Sequence, residues 1–161
     1  MELPDTEANQ WVYPQTQKGG CPLSRIVGII CLSSGGILNV AIGPYSGKGS
    51  GEQTLLSTML DTFNAGDIVL GDAYYGSYFL LTELIARNID VVFEQHGARK
   101  RTQDFRTGKQ RGKKDHLIVY KKPKIKPDWI SQEKYDATPE ILTVRECKVG
   151  GKTFSNNNVI T

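Results

Sequence analysis

Between Arg25 and Phe93 the apolar residues alternate between strand-like runs and helix-like spacing, and few folds accommodate that order. Arg25 to Leu32 reads as a buried strand, Ser33-Ser34-Gly35-Gly36 as a turn, and Ile37 to Ile42 as a second strand, so the pair predicts a hairpin. Gly43 to Gly51 is a loop. Ser50 is placed to cap a helix, with Gln53 at the capping-box position. Leu55, Leu56, Met59, Leu60 and Phe63 then recur at helical spacing, with Gly66 beyond the end. Ile68 to Leu70 is a third strand. Gly76-Ser77 opens a second helix whose apolar face carries Phe79, Leu80, Leu84 and Ile85, and Ile89 to Phe93 is a fourth strand. Hairpin, helix, strand, helix, strand predicts an α/β mixed sheet with flanking helices.

From His96 onward helical periodicity is lost. Short β-like pieces, His116 to Tyr120 and Ile141 to Val149, alternate with basic and Pro-rich stretches, and Val159-Ile160 begins another element. The expected division is therefore an α/β core over residues 1–95, led in by a loop-like segment 1–24, and a basic β-rich region over 96–161. The charge follows that division. The 161-residue chain has a net charge of +3, yet the stretch after His96 as far as Lys126 holds twelve Lys/Arg against two acids, Asp104 and Asp115. The remainder holds eight Lys/Arg against fifteen acids. A concentrated basic segment on an acidic protein is the footprint of a polyanion. Phe105, Tyr120 and Trp129 interleave with it, and aromatic faces stack on bases while cations track phosphates.

No apolar run reaches the roughly 18 residues of a membrane span. The start, Met1-Glu2-Leu3-Pro4-Asp5, is polar and acidic, which argues against a signal peptide. Cys21, Cys31 and Cys147 are odd in number with no C-x-x-C spacing. They read as packing residues in a reducing cytoplasm.

Asp72 stands where the run Ile68-Val69-Leu70-Gly71 stops and a turn begins. Ligand and metal chemistry in open α/β sheets collects at the carboxyl ends of strands. An Asp there also starts turns and caps helices without any further role. Gly43 to Ser50 faintly suggests a phosphate loop, but three residues separate its glycines where four are needed, and Gly49 follows Lys48. It reads as a strand-to-helix connection. His96 and His116, twenty residues apart, read as polar or DNA-contacting residues, and Glu52 as favourable to a helix start.

Four strings carry a resemblance. They are Leu3-Pro4-Asp5-Thr6-Glu7-Ala8-Asn9-Gln10, the Gly43 to Glu52 loop, Gly71-Asp72-Ala73-Tyr74-Tyr75-Gly76-Ser77-Tyr78-Phe79, and a basic series. That series runs through Gln95-His96-Gly97-Ala98-Arg99, Asp104-Phe105-Arg106, Gly112 to His116 and Leu142 to Glu146. Together they resemble the catalytic domain of DDE transposases of the insertion sequence 4 family. The resemblance implies a ribonuclease-H-like fold with a β-rich basic insertion. It also implies three acids that hold two magnesium ions for phosphodiester chemistry; such ions lie about 4 Å apart and are held by carboxylate oxygens. Asp72 matches the second acid by position. The basic residues expected to grip DNA phosphates are Arg99, Lys100, Arg101, Arg106, Lys109, Arg111, Lys113 and Lys114. Trp129 is a candidate to stack on an unpaired base, weighed against simple packing.

The family's first Asp precedes the segment matched by Leu3 to Gln10, and its third acid lies on a later helix. Asp5 and Glu146 match neither, and Ala73 stands where relatives often carry Arg. The expectation is thus a fragment of a DNA-cutting and DNA-joining transposase, inactive alone, with exposed sheet edges and marginal stability. The resemblance implies DNA as partner, no membrane, and a dimer of the intact protein. The alternative function is a non-catalytic nucleic-acid-binding module or an inactive relic.

Overall fold

The computed structural model describes residues 1–12, 21–47, 49–150 and 157–161; the side chains of residues 12, 100, 102 and 157–159 fall outside that description. Lys48, in the glycine-rich loop, and Lys100 are thereby outside the described residues or side chains. The chain forms two compact units, residues 1–62 with 127–131, and residues 63–126 with 132–161.

In the first unit, β1 (Ser24–Ile30) and β2 (Ile37–Pro44) form the expected antiparallel hairpin. The amide of Cys31 donates to the Gly36 carbonyl, and that of Gly35 to the Cys31 carbonyl, each at 2.8 Å. Val27 and Ile29 are buried, as are Leu55 and Leu56 of α1 (Glu52–Ser57), which packs on the hairpin. The residues of the opposite face, Ile26, Ile30, Ile37, Val40 and Ile42, are all exposed. The lead-in segment is less irregular than expected: Glu7–Val12 forms a 3-10 turn, and Glu2 bridges Leu23.

Two local expectations are corrected here. The cap residue of α1 is Gly51, without a side-chain bond, while the Ser50 hydroxyl donates to the Gly47 carbonyl instead. The helix also stops at Ser57, short of Phe63, and only a 3-10 turn, Leu60–Thr62, follows. Ser57 and Thr58 hydroxyls donate to the carbonyls of Thr54 and Leu55, each at 2.7 Å. Such bonds compete with continued helix.

Among the described residues, the second unit holds a six-stranded sheet in the order β3-β4-β8-β7-β6-β5. Its strands are β3 (Ile68–Gly71), β4 (Asp90–Glu94), β5 (Lys109–Gly112), β6 (Asp115–Lys121), β7 (Ile141–Val149) and β8 (Asn157–Ile160). β3 and β4 are parallel; every other pair is antiparallel. The crossover between the parallel pair is α2 (Tyr78–Ala86), whose Tyr78, Phe79, Leu80, Leu81 and Leu84 are buried. Ile85, expected on that face, is 46% exposed, and Leu81 takes the buried position. Asn88, at φ 59°, terminates the helix, and the Ile89 amide donates back to the Leu84 carbonyl. This is the left-handed stop that lets a strand follow at once.

β3 lies at one edge of the sheet, with Ile68 and Leu70 exposed. β5 forms the other edge and is exposed throughout, and its Lys109 and Arg111 discourage further strand pairing. Two further helices, α3 (Gly97–Thr102) and α4 (Gln132–Ala137), occur where no helical periodicity is visible. At six residues each, they are too short to show an apolar stripe. Tyr135 of α4 packs on Phe79 with ring centroids 5.6 Å apart.

Candidate carboxylates and nucleic-acid interface

β3 ends beneath a close contact. A Cβ on Gly71 would fall 2.9 Å from the Phe93 ring, so glycine is what lets the strand lie against β4 and turn there. Asp72 follows and is exposed. Its Oδ1 accepts the Tyr74 amide at 2.8 Å, and its carbonyl accepts the Tyr75 amide at 3.3 Å. The side chain therefore does start the turn, while solvent reaches the carboxylate. Among the described residues no group of three or more His, Cys, Asp or Glu side chains could hold a metal ion. Asp72 could supply one oxygen ligand, but the described residues do not complete a two-ion site, which needs several.

The most elaborate polar cluster surrounds a different acid. Glu146, on β7, is fully buried. Its Oε1 accepts from Gln95 Nε2 at 2.6 Å, from Arg99 Nε at 2.8 Å and from the Tyr120 hydroxyl. Its Oε2 bonds Gln103 Nε2 and His116 Nε2, each at 2.9 Å, and Arg99 Nη2 at 3.2 Å. Burial pushes the Glu146 carboxyl up. The Arg99, Tyr120, His116 and Gln103 bonds outweigh it and hold the group at about 2. Burial first, and the bond to Glu146 second, raise the Tyr120 hydroxyl. His116 is also fully buried, with Nδ1 2.7 Å from the Thr107 carbonyl. It is therefore part of the interior and not a DNA contact. One buried atom of the cluster, Gln95 Oε1, has no partner.

The sequence alone assigns Glu146 no role beyond its string. A signal is nevertheless present. Leu142, Val144 and Glu146 share the inward-facing parity of β7, and an acid at such a position requires partners.

The predicted phosphate-gripping residues fall into three environments. Arg99, on α3, has a side chain 31% exposed, ties itself to Glu146 and lies over the Tyr120 ring. Arg106 makes a two-pronged pair with Asp104, whose carboxyl that bond holds down at about 2. Arg101, Lys109, Arg111, Lys113 and Lys114 are exposed, the last four on the β5–β6 hairpin. Gly108 sets up that hairpin. It has φ 71°, and a Cβ there would lie 2.2 Å from the Leu117 carbonyl oxygen. Trp129 is half-buried in the first unit.

Beside the Glu146 cluster a cleft of about 360 Å³ is lined by Tyr78, His96, Arg99, Tyr120 and Lys121, among others. His96 is exposed and caps α3, its Nδ1 accepting the Ala98 amide at 3.2 Å. Cations and aromatic rings thus share one opening, a composition suited to an anion with a flat apolar part. No helix is long and apolar enough to cross a membrane among the described residues. No curated protein and no solved structure matches the chain. The model of the transposase DDE domain matches residues 2–155, and the chain belongs to that family, whose members cut and join DNA.

Proposed function

We propose that the chain is part of a transposase of the insertion sequence 4 type. Its sheet would belong to a ribonuclease-H-like domain, with Asp72 as one of the acids serving the divalent-metal chemistry general to DDE domains. In that reading Arg101, Lys109, Arg111, Lys113 and Lys114 take DNA phosphates, and Arg99 and Arg106 contribute what their acid partners leave available. The observation that carries it is the β5–β6 hairpin. It carries four exposed cations, and beside its turn Asp115 pairs with Arg145 at 2.7 Å. An exposed edge that is uniformly basic serves a polyanion and needs no base-specific contact.

The test is duplex binding followed by anisotropy across a salt series. Lys113→Ala and Lys114→Ala should each flatten the slope of log affinity against log salt by about 0.9 for every phosphate left without its cation. Binding that ignores salt, or no binding, refutes the proposal. A second reading, a DNA-binding module without catalysis, draws support from the exposed Asp72, which belongs to no group of three or more possible metal ligands among the described residues. Under it, duplex affinity is unchanged by Asp72→Asn and by magnesium.

A further inference from the structure

Ile125 is the most exposed large apolar side chain of the described residues, at 85%. The others that are more than half exposed lie mainly on strands, where pairing and pleat dictate their direction; Ile30, Ile37, Ile68, Val119 and Ile141 are of this kind. Ile125 lies on no strand or helix. It occupies the middle of Lys121-Lys122-Pro123-Lys124-Ile125-Lys126-Pro127, a stretch with no acid between Asp115 and Asp128. A solvated lysine loop gains nothing from an isoleucine held in water.

The segment leading to that tip is fastened from behind. The Tyr135 hydroxyl shares its donor between the Pro123 carbonyl at 3.0 Å and the Lys124 carbonyl at 3.1 Å. Lys122 turns away from solvent. Its Nζ lies 4.5 Å from the Tyr135 ring centroid and donates to the Thr138 carbonyl and to Glu140. The Lys122 amide donates to the Glu140 carbonyl at 2.9 Å. Lys121 and Lys124 remain exposed on the side of Ile125 that leads in. The result is an apolar point, flanked by cations, on a backbone already ordered.

We propose that Ile125 is a DNA wedge, a role that rests on the DNA-binding reading above. Lys121 and Lys124 take phosphates beside the point of entry, and the isoleucine side chain enters between two stacked base pairs and parts them. Apolar side chains flanked by Lys or Arg unstack and kink duplexes in this way. Prior ordering of the loop lowers the entropy lost on insertion. Pyrimidine–purine steps, which unstack most readily, are the favoured point of entry. An acidic protein surface could also meet the lysines, and a chain that binds no duplex in the test below would favour it.

The experiment uses the 161-residue chain and a duplex carrying 2-aminopurine beside a central TA step, since that base brightens when unstacked. Wild type should brighten the probe on binding. Ile125→Ser, which alters a residue in contact with water, should bind with the same salt slope but lose the brightening. Ile125→Leu should retain it, and Lys124→Ala should lower the salt slope by about one while the probe still responds. Duplex binding without brightening, or brightening that survives Ile125→Ser, overturns the wedge and leaves the DNA reading intact. Absence of any duplex binding by wild type overturns both.

Discussion

Asp72 and Glu146 are both acids on or beside strands of the same sheet, and their surroundings differ in almost every respect. Asp72 follows the last residue of an edge strand, is exposed, and takes a single amide on its carboxylate. Glu146 lies inside β7, is fully buried, and is met by five side chains drawn from two stretches of the chain, residues 95–103 and the strand β6. The contrast separates two uses of one functional group. A carboxylate whose lone pairs are filled by protein donors can organise structure but has nothing left for a ligand. One with open lone pairs is available for chemistry and contributes little to the fold.

Three experiments probe that contrast. The largest effect is expected from Glu146→Ala, which strands the Arg99 guanidinium and leaves Gln95, His116 and Tyr120 without their shared acceptor. Breaking a buried pair by removing one partner costs about 3–5 kcal/mol, and partial exposure of Arg99 places this case toward the lower end. Chemical denaturation measures it; a loss under about 1 kcal/mol would mean the cluster is not the anchor of the sheet. Acid is expected to act more gradually. The folded Glu146 value, about 2, lies below the ordinary 4.5. Its contribution is therefore complete above pH 4.5 and is lost as pH falls from there toward 2. Thermal melts of wild type should drop across that window more steeply than melts of Glu146→Gln. The smallest effect belongs to Asp72→Asn. Asparagine keeps an oxygen for the Tyr74 amide, so stability should stay within about 0.5 kcal/mol. A large loss there would erase the distinction between the two acids.

Much of the fold was legible in the sequence where apolar spacing is local. The hairpin and the strand–helix–strand unit around α2 were expected near their observed places, because Val27, Ile29 and the Phe79-Leu80-Leu81 run announce their own burial. β5 was not legible. Its four residues, Lys-Gln-Arg-Gly, carry no apolar alternation and become a strand only by pairing with β6. The early end of α1 depended on hydroxyls of Ser57 and Thr58 turning back to the backbone, a choice composition does not dictate. Of the site, Asp72 was read at its strand end. The interior position of His116 was missed because its acid partner lies 30 residues further along the chain.

The Glu146 cluster also has a consequence in time. All of its side-chain donors precede their acceptor, by 51 residues at Gln95, 47 at Arg99, 43 at Gln103, 30 at His116 and 26 at Tyr120. On the ribosome the donors emerge first and must stay hydrated until β7 is made. Their burial therefore cannot start early, and the sheet between β4 and β6 can consolidate only after loop closures of that length. Folding of this half of the molecule is thus set to be late, waiting first on one glutamate and then on β8, the strand that joins β4 to β7.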